Sequence, residues 1–338
     1  MKEAMLYEHL EDGSVRCSLC PHHCRISPGK RGICGVRENR EGTLYTLVYG
    51  QAVSAAIDPI EKKPLHHYLP GTQAFSIATV GCNFRCDFCQ NFEISQASKE
   101  SSGWERWSRP LPPQRVVDLA EQRGCASIAY TYTEPTVFFE YAYDTAVLAT
   151  PRGLKNIFVT NGYITPEALD VIGQNLHAAN IDLKSFRDEF YRRVCGGRLQ
   201  PVLDSIQKMH RDGVWVEVTT LLIPGENDSD GELHDIARFL AGIDPDIPWH
   251  VSRFIPHYRM WDHPPTPVAS IHRAVEIGYE EGLHYVYAGN VPGDQYESTR
   301  CPYCGQVVVE RRGYWIHSRL DGNRCPACGR ELAFVVES

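Results

Sequence analysis

Ala74-Phe-Ser-Ile-Ala-Thr-Val-Gly-Cys-Asn-Phe-Arg-Cys-Asp-Phe-Cys89 opens as an apolar run of strand length and continues into a loop that carries three cysteines. The first half predicts a strand over Ala74–Val80. Working outward, further β-branched and aromatic runs occur at Ala126–Thr131, Asn156–Thr160, Ala179–Leu183, Val214–Leu222, His250–Ile255 and Tyr285–Ala288. The spacers hold amphipathic stretches, such as those opening at Pro113 and Leu203, with apolar residues three and four apart. Alternation of strand and helix predicts a parallel sheet covered by helices, closed as a barrel or doubly wound. In either architecture ligands gather at the C-terminal ends of the strands. Thr133-Glu134, Thr160-Asn161-Gly162, Asp182-Leu183-Lys184 and Pro256-His257 all fall at or just past such ends.

Cys82, Cys86 and Cys89 are separated by three and then two residues. Three thiolates at that spacing can wrap one face of a cubane iron–sulfur cluster, for which a full protein set would be four. A closed structural zinc site also wants four ligands, and no other Cys or His stands close by in sequence. An iron without a protein ligand is free to bind a small molecule.

Cys82-x-x-x-Cys86-x-Phe88-Cys89 resembles the signature of radical S-adenosylmethionine (SAM) enzymes. The resemblance implies a [4Fe-4S] cluster on Cys82, Cys86 and Cys89, with SAM chelated at the fourth iron. It implies reductive cleavage of SAM to methionine and a 5′-deoxyadenosyl radical, which abstracts hydrogen from a protein or small-molecule substrate. An electron donor of the flavodoxin or ferredoxin type is implied with it. The fold implied is a partial (β/α)6 barrel of TIM type over residues 74–292. There the likeness is to activating enzymes of glycyl-radical proteins, such as that of pyruvate formate-lyase. Tyr132-Thr133-Glu134-Pro135 takes the place of the family's Gly-Gly-Glu-Pro, so Glu134 is assigned to the SAM ammonium, with Phe88, Tyr132 and Thr133 beside it. Thr160-Asn161-Gly162 and Asp182-Leu183-Lys184 match the family's Thr-Asn-Gly and Asp-Leu-Lys, and His257 corresponds to a histidine near the SAM ribose and adenine. Without the family, Glu134 can pair with an ammonium, and Asp182 and Lys184 project to one face of a strand; a plain strand-end ion pair is the simpler reading of the last two. Val159 stands where an activase commonly has an acidic residue.

Two further cysteine sets flank this core. Residues 1–73 read as a Cys-rich extension in which Cys17, Cys20, Cys24 and Cys34 suit zinc or an auxiliary iron–sulfur cluster, structural zinc being the simpler expectation. Together with Asp58-Pro-Ile-Glu-Lys-Lys-Pro-Leu-His66, this segment resembles the radical SAM member of the AmmeMemoRadiSam system, implying AMMECR and Memo companion proteins. Glu61, Lys62 and Lys63 otherwise read as a solvated charge run. Residues 293–338 read as a zinc-ribbon or rubredoxin-like domain. In it Cys301-x-x-Cys304-Gly and Cys325-x-x-Cys328-Gly form two knuckles suited to zinc. Of the thirteen cysteines, Cys125 reads as a small core residue and Cys195 as a loop residue. Tyr132 and Cys195 are side chains able to carry a radical.

With 34 basic and 42 acidic residues the formal charge is −8, which argues against a surface built to hold nucleic-acid phosphate. No apolar stretch reaches bilayer length and the opening residues lack the pattern of a secretion signal, so a soluble cytoplasmic protein is expected. Thirteen cysteines in such a chain read as metal ligands or reactive thiols rather than disulfides. Two other functions stand beside the radical enzyme: a dedicated glycyl-radical activase, and a non-catalytic zinc-stabilised binding or regulatory protein.

Overall fold

The computed structural model describes residues 1–101 and 103–337. Its centre is an eight-stranded sheet: β1 (Ser54–Pro59), β2 (Gln73–Ala78), β3 (Ser127–Tyr130), β4 (Lys155–Thr160), β5 (Ala178–Asp182), β6 (Trp215–Leu222), β7 (Trp249–Arg253) and β8 (Val286–Gly289). From β2 to β8 all neighbours are parallel, and the spatial order follows the chain order without reversal. The six crossovers carry α1 (Pro113–Gln122), α2 (Phe139–Ala149), α3 (Pro166–Ile172), α4 (Gln200–Arg211), α5 (Asp230–Ile243) and α6 (Val268–Glu280). Right-handed crossovers that always step the same way put every helix on one face of the sheet. A doubly wound sheet would need a reversal of strand order, so the architecture is the barrel-like alternative. Six of the parallel strands are those a (β/α)6 barrel requires. The seventh, β8, and the antiparallel β1 extend the sheet at its two edges.

Local sequence explains the elements. β3 is buried at every position and β2 at all but its first, as expected of parallel strands covered on both faces. α1 starts at Pro113, where the missing N–H costs nothing, and buries Val116, Val117 and Ala120. α4 buries Val202, Leu203, Ile206 and Met209 at helical spacing. β1 pairs antiparallel with β2 from Ser54↔Ala78 to Pro59↔Gln73, so a segment from the Cys-rich extension closes one edge of the sheet.

At the N-terminal ends of the strands, Glu217 of β6 accepts from the backbone N–H groups of His66 and His67 at 2.9 and 2.8 Å, and lies 2.7 Å from His250 of β7. A three-stranded antiparallel ribbon, Thr299–Arg300, Val307–Arg312 and Trp315–Ser318, docks on this end. Arg311 donates to the His66 carbonyl, the His67 ring stacks on Phe334 with centroids 4.0 Å apart, and Val335 N–H donates to His67 O at 2.9 Å. Among the described residues no helix is long and apolar enough to cross a membrane.

Candidate functional site

The opposite end of the sheet carries the three-cysteine loop. β2 ends at Ala78, and Gly81 turns the chain with φ +107°; a Cβ there would stand 2.7 Å from Val36 Cγ1, so only glycine fits. The loop is held by the last residues of the helical turn Tyr191–Cys195, where Arg85 N–H donates to Cys195 O and Asp87 N–H to Val194 O, at 2.8 and 3.2 Å. Cys82 and Cys89 are half-buried and Cys86 is buried. Each outer sulfur has hydrogen-bonding neighbours. Phe84 N–H donates to Cys82 Sγ at 3.3 Å, Asn161 Nδ2 lies 3.7 Å from the same sulfur, and Ser95 Oγ is 3.3 Å from Cys89 Sγ. Burial pushes the thiols of Cys82 and Cys89 up, and Cys86 is raised first by a hydrogen bond with Cys195 and then by burial. A metal loaded here must therefore displace protons and supply the positive charge that keeps the sulfurs ionised.

The other sequence-selected residues surround this loop. Glu134, past the end of β3, is 1% exposed. One of its oxygens accepts from Thr136 N–H, Thr136 Oγ1 and Thr160 Oγ1 at 3.0, 2.7 and 2.7 Å, and the other accepts from Asn161 N–H at 2.8 Å. Burial pushes its pKa up against the pull of those donors. The carboxylate thus ties β3 to β4. Asn161 also donates to Asn83 Oδ1 at 2.8 Å, joining the Thr160-Asn161-Gly162 turn to the cysteine loop. Gly162 has φ +69° and would bring a Cβ within 2.8 Å of Ile181.

At the end of β5, Lys184 Nζ donates to Asp182 Oδ2 at 2.8 Å and lies 5.5 Å from the Phe88 ring centre. Burial opposes the ammonium charge, but Asp182 and the thiols of Cys86 and Cys195 outweigh it and hold the pKa well above that of free lysine. Asp182 and Lys184 do form the strand-end ion pair, and that pair stands next to the loop's thiols. Phe88 is buried against Phe190, 6.2 Å between centroids. His257, in the loop after β7, meets Phe92 edge-on at 5.6 Å, while Tyr258 stacks on the same ring at 4.4 Å. Thr133 Oγ1 donates to Thr79 O at 2.9 Å.

Tyr132 has φ +64°, a left-handed conformation that a bulky residue seldom adopts. Its hydroxyl donates to Asp58, which also receives Lys62 and Lys63, each at 2.7 Å. Lys63 is 1% exposed and lies 4.4 Å from the Tyr132 ring centre. The solvated charge run expected at Glu61–Lys63 is thereby corrected: Glu61 and Lys63 are buried, because β1 delivers them to the N-terminal end of the sheet. Cys195, read from sequence as a loop residue, instead ends the helical turn Tyr191–Cys195 and is buried. It is 110 residues from the loop in sequence, and only the backbone bonds from Arg85 and Asp87 bring its buried thiol beside Cys86.

The ribbon differs from the loop in geometry. Its four sulfurs all lie within 4.8 Å of one another, with Cys301–Cys328 and Cys304–Cys325 each 3.7 Å apart. Among the described residues no other three metal-ligating side chains close so tightly. Gly305 and Gly329 have φ +75° and +70°, which gives each knuckle its turn.

The model of the Radical SAM superfamily matches residues 76–240, from β2 through most of α5. The chain belongs to the radical SAM superfamily. It is 45% identical over 340 residues to an uncharacterized protein of Methanocaldococcus jannaschii, covering 99% of this chain and 100% of that one. It is 27% identical over 229 residues to GTP 3′,8-cyclase of Listeria welshimeri, covering 64% of this chain and 65% of the relative. The crystal structure of Streptococcus suis SuiB bound to precursor peptide SuiA shares the fold, with a TM-score of 0.51, 14% identity, and coverage of 69% of this chain and 52% of that one. Members of the radical SAM superfamily are enzymes, and the domain implies a [4Fe-4S] cluster, SAM and a source of electrons. The loop's donor set fits that group. Two of the three sulfurs, those of Cys82 and Cys89, are furnished with N–H and O–H partners, and the three do not close on one another as the ribbon's do around a single-ion space.

Proposed function

We propose that this radical SAM protein is an enzyme that cleaves SAM reductively at the loop after β2 and uses the product to abstract hydrogen from a protein or small-molecule substrate. The observation that carries the reading is the open set of Cys82, Cys86 and Cys89 at the C-terminal edge of the first parallel strand, in a chain of this superfamily. Loaded with its cluster and SAM, the loop would supply one-electron cleavage of the sulfonium to methionine and a 5′-deoxyadenosyl radical. The chain's own groups then have definite tasks. Cys82, Cys86 and Cys89 hold three irons, and the donors from Phe84, Asn161 and Ser95 stabilise negative charge on sulfur. Lys184 adds a positive charge beside Cys86. Glu134 is the carboxylate we assign to the SAM ammonium, and Phe88, Tyr132, Thr133, Thr160, Asp182 and His257 are assigned to the nucleoside. The stretch Asp58–His66, on which the likeness to the AmmeMemoRadiSam member rests, is tied to the Tyr-Thr-Glu-Pro segment through the hydrogen bond from the Tyr132 hydroxyl to Asp58.

In the ribbon, sulfurs 3.7 Å apart suit one tetrahedral ion, since metal–sulfur bonds of about 2.3 Å give tetrahedral edges of roughly 3.8 Å. Zinc is the ion we assign there. A flavodoxin- or ferredoxin-type carrier is the reductant we assign. The test is anaerobic reconstitution followed by a strong one-electron reductant and SAM. Formation of 5′-deoxyadenosine, dependent on all three loop cysteines, is expected; a fully loaded cluster that yields none would sink the proposal.

A further inference from the structure

The N-terminal cysteines are the one set to which no group has yet been assigned. Cys17 ends the strand Val15–Cys17, Cys20 and Cys24 lie on the turn that follows, and Cys34 comes from the loop Gly32–Gly35. All four line one pocket, together with His22 and Arg37. In contrast to the ribbon, no three of these sulfurs lie within 4.8 Å of one another. A tetrahedral zinc holds its four sulfurs roughly 3.8 Å apart, a closure that these four thiols do not make.

A second observation comes from Arg37, which is 2% exposed. Its two terminal nitrogens donate to Glu140 at 2.9 and 2.8 Å, but its buried Nε has no partner in the protein. A buried N–H without an acceptor is destabilising. On the wall of a pocket of thiols, its natural acceptor is a sulfur, thiolate or sulfide, as in the hydrogen bonds that tune iron–sulfur clusters.

We infer that Cys17, Cys20, Cys24 and Cys34 bind a second iron–sulfur cluster, with Arg37 Nε donating to one of its sulfurs. Structural zinc, the simpler expectation from sequence, does not fit the separation of the thiols. The pocket abuts the central loop. A Cβ on Gly81 would stand 3.3 Å from Cys34 O, and His22 Nε2 is 2.9 Å from Asn83 O. A cluster there is an electron-transfer neighbour of the one on Cys82, Cys86 and Cys89, a placement that rests on the function proposed above; the site itself does not.

The test uses protein isolated without oxygen and measures iron, acid-labile sulfide and zinc per chain. Sulfide is decisive, because a single ion in the ribbon carries none. The variant Cys82→Ala/Cys86→Ala/Cys89→Ala is expected to keep about two to four sulfides with matching iron and a charge-transfer absorption, the content of one cluster. No sulfide together with two zinc ions would overturn the inference. An iron and sulfide content unchanged from the wild type would instead overturn the central site while leaving the N-terminal one standing. Should that variant fail to fold, the wild type decides by itself. About six to eight sulfides and one zinc support two clusters, whereas four sulfides and two zincs overturn the second. Cys20→Ser/Cys24→Ser, at the two half-buried positions, should remove only the N-terminal share.

Discussion

In the ribbon four sulfurs close on a common point, and every ligand comes from two short knuckles of the same small sheet. In the loop after β2 three sulfurs stay apart, and their partners arrive from β4, β5 and the turn ending at Cys195. A closed set needs only its own turns and contributes stability where it stands. An open set borrows its surroundings from several strands, so it exists only once the barrel has assembled and keeps a position for something that is not protein.

The sharpest way to break this contrast is Cys82→Ala/Cys86→Ala/Cys89→Ala. Formation of 5′-deoxyadenosine should fall to background while circular dichroism is retained; turnover that survives would remove the open site from the chemistry. Next in size is Cys304→Ser/Cys328→Ser. Amide protection over Cys301–Arg330 should drop about 100-fold or more, because structural zinc can contribute on the order of 10 kcal/mol to a small metal-held unit. Protection in β3 and β4 should hold, and an unchanged ribbon would mean that metal does not close it. Asn161→Ala probes the borrowed partners. Loss of the contacts to Cys82 and Asn83 should lower cluster retention or turnover about 10–100-fold, against no effect if Asn161 only shapes its own turn.

The smallest effect concerns the seam between ribbon and barrel. Burial lowers the pKa of His67 to about 3, with nearby Glu217 pulling the other way. The unfolded chain, with an ordinary histidine pKa near ~6.5, takes up the proton first as pH falls. Stability from a neutral His67 is therefore complete above that value and lost progressively toward pH 3. The midpoint of thermal unfolding should decline more steeply in wild type than in His67→Gln between pH 6.5 and 4; parallel curves would show that His67 does not report on the seam.

Much of the barrel was legible in sequence. All seven parallel strands lie within two residues of the runs read from β-branched and aromatic content, because strands buried on both faces must be apolar along their length. β1 was not legible: Ser54-Ala-Ala-Ile-Asp-Pro59 is short in apolar residues and is a strand only because β2 offers it an edge. The cysteine sets were visible as spacings, but whether each closes is a matter of distance, which spacing does not encode. Cys195, Arg37 and the Tyr132–Asp58 contact depend on partners between 74 and 109 positions away. Tyr132 carries a further lesson, since a left-handed residue where the resembling family has glycine is invisible to pattern reading.

The pairing of β1 with β2 also bears on how this protein can be dissected. A barrel expressed from Gln73 onward would begin with a bared row of backbone donors and acceptors along its first strand, six residues long and apolar on its buried side. Such a rim recruits any extended segment it meets. The shortened chain should therefore accumulate as intermolecular β-aggregate, and co-expressing the first seventy-two residues as a separate polypeptide should return it to solution.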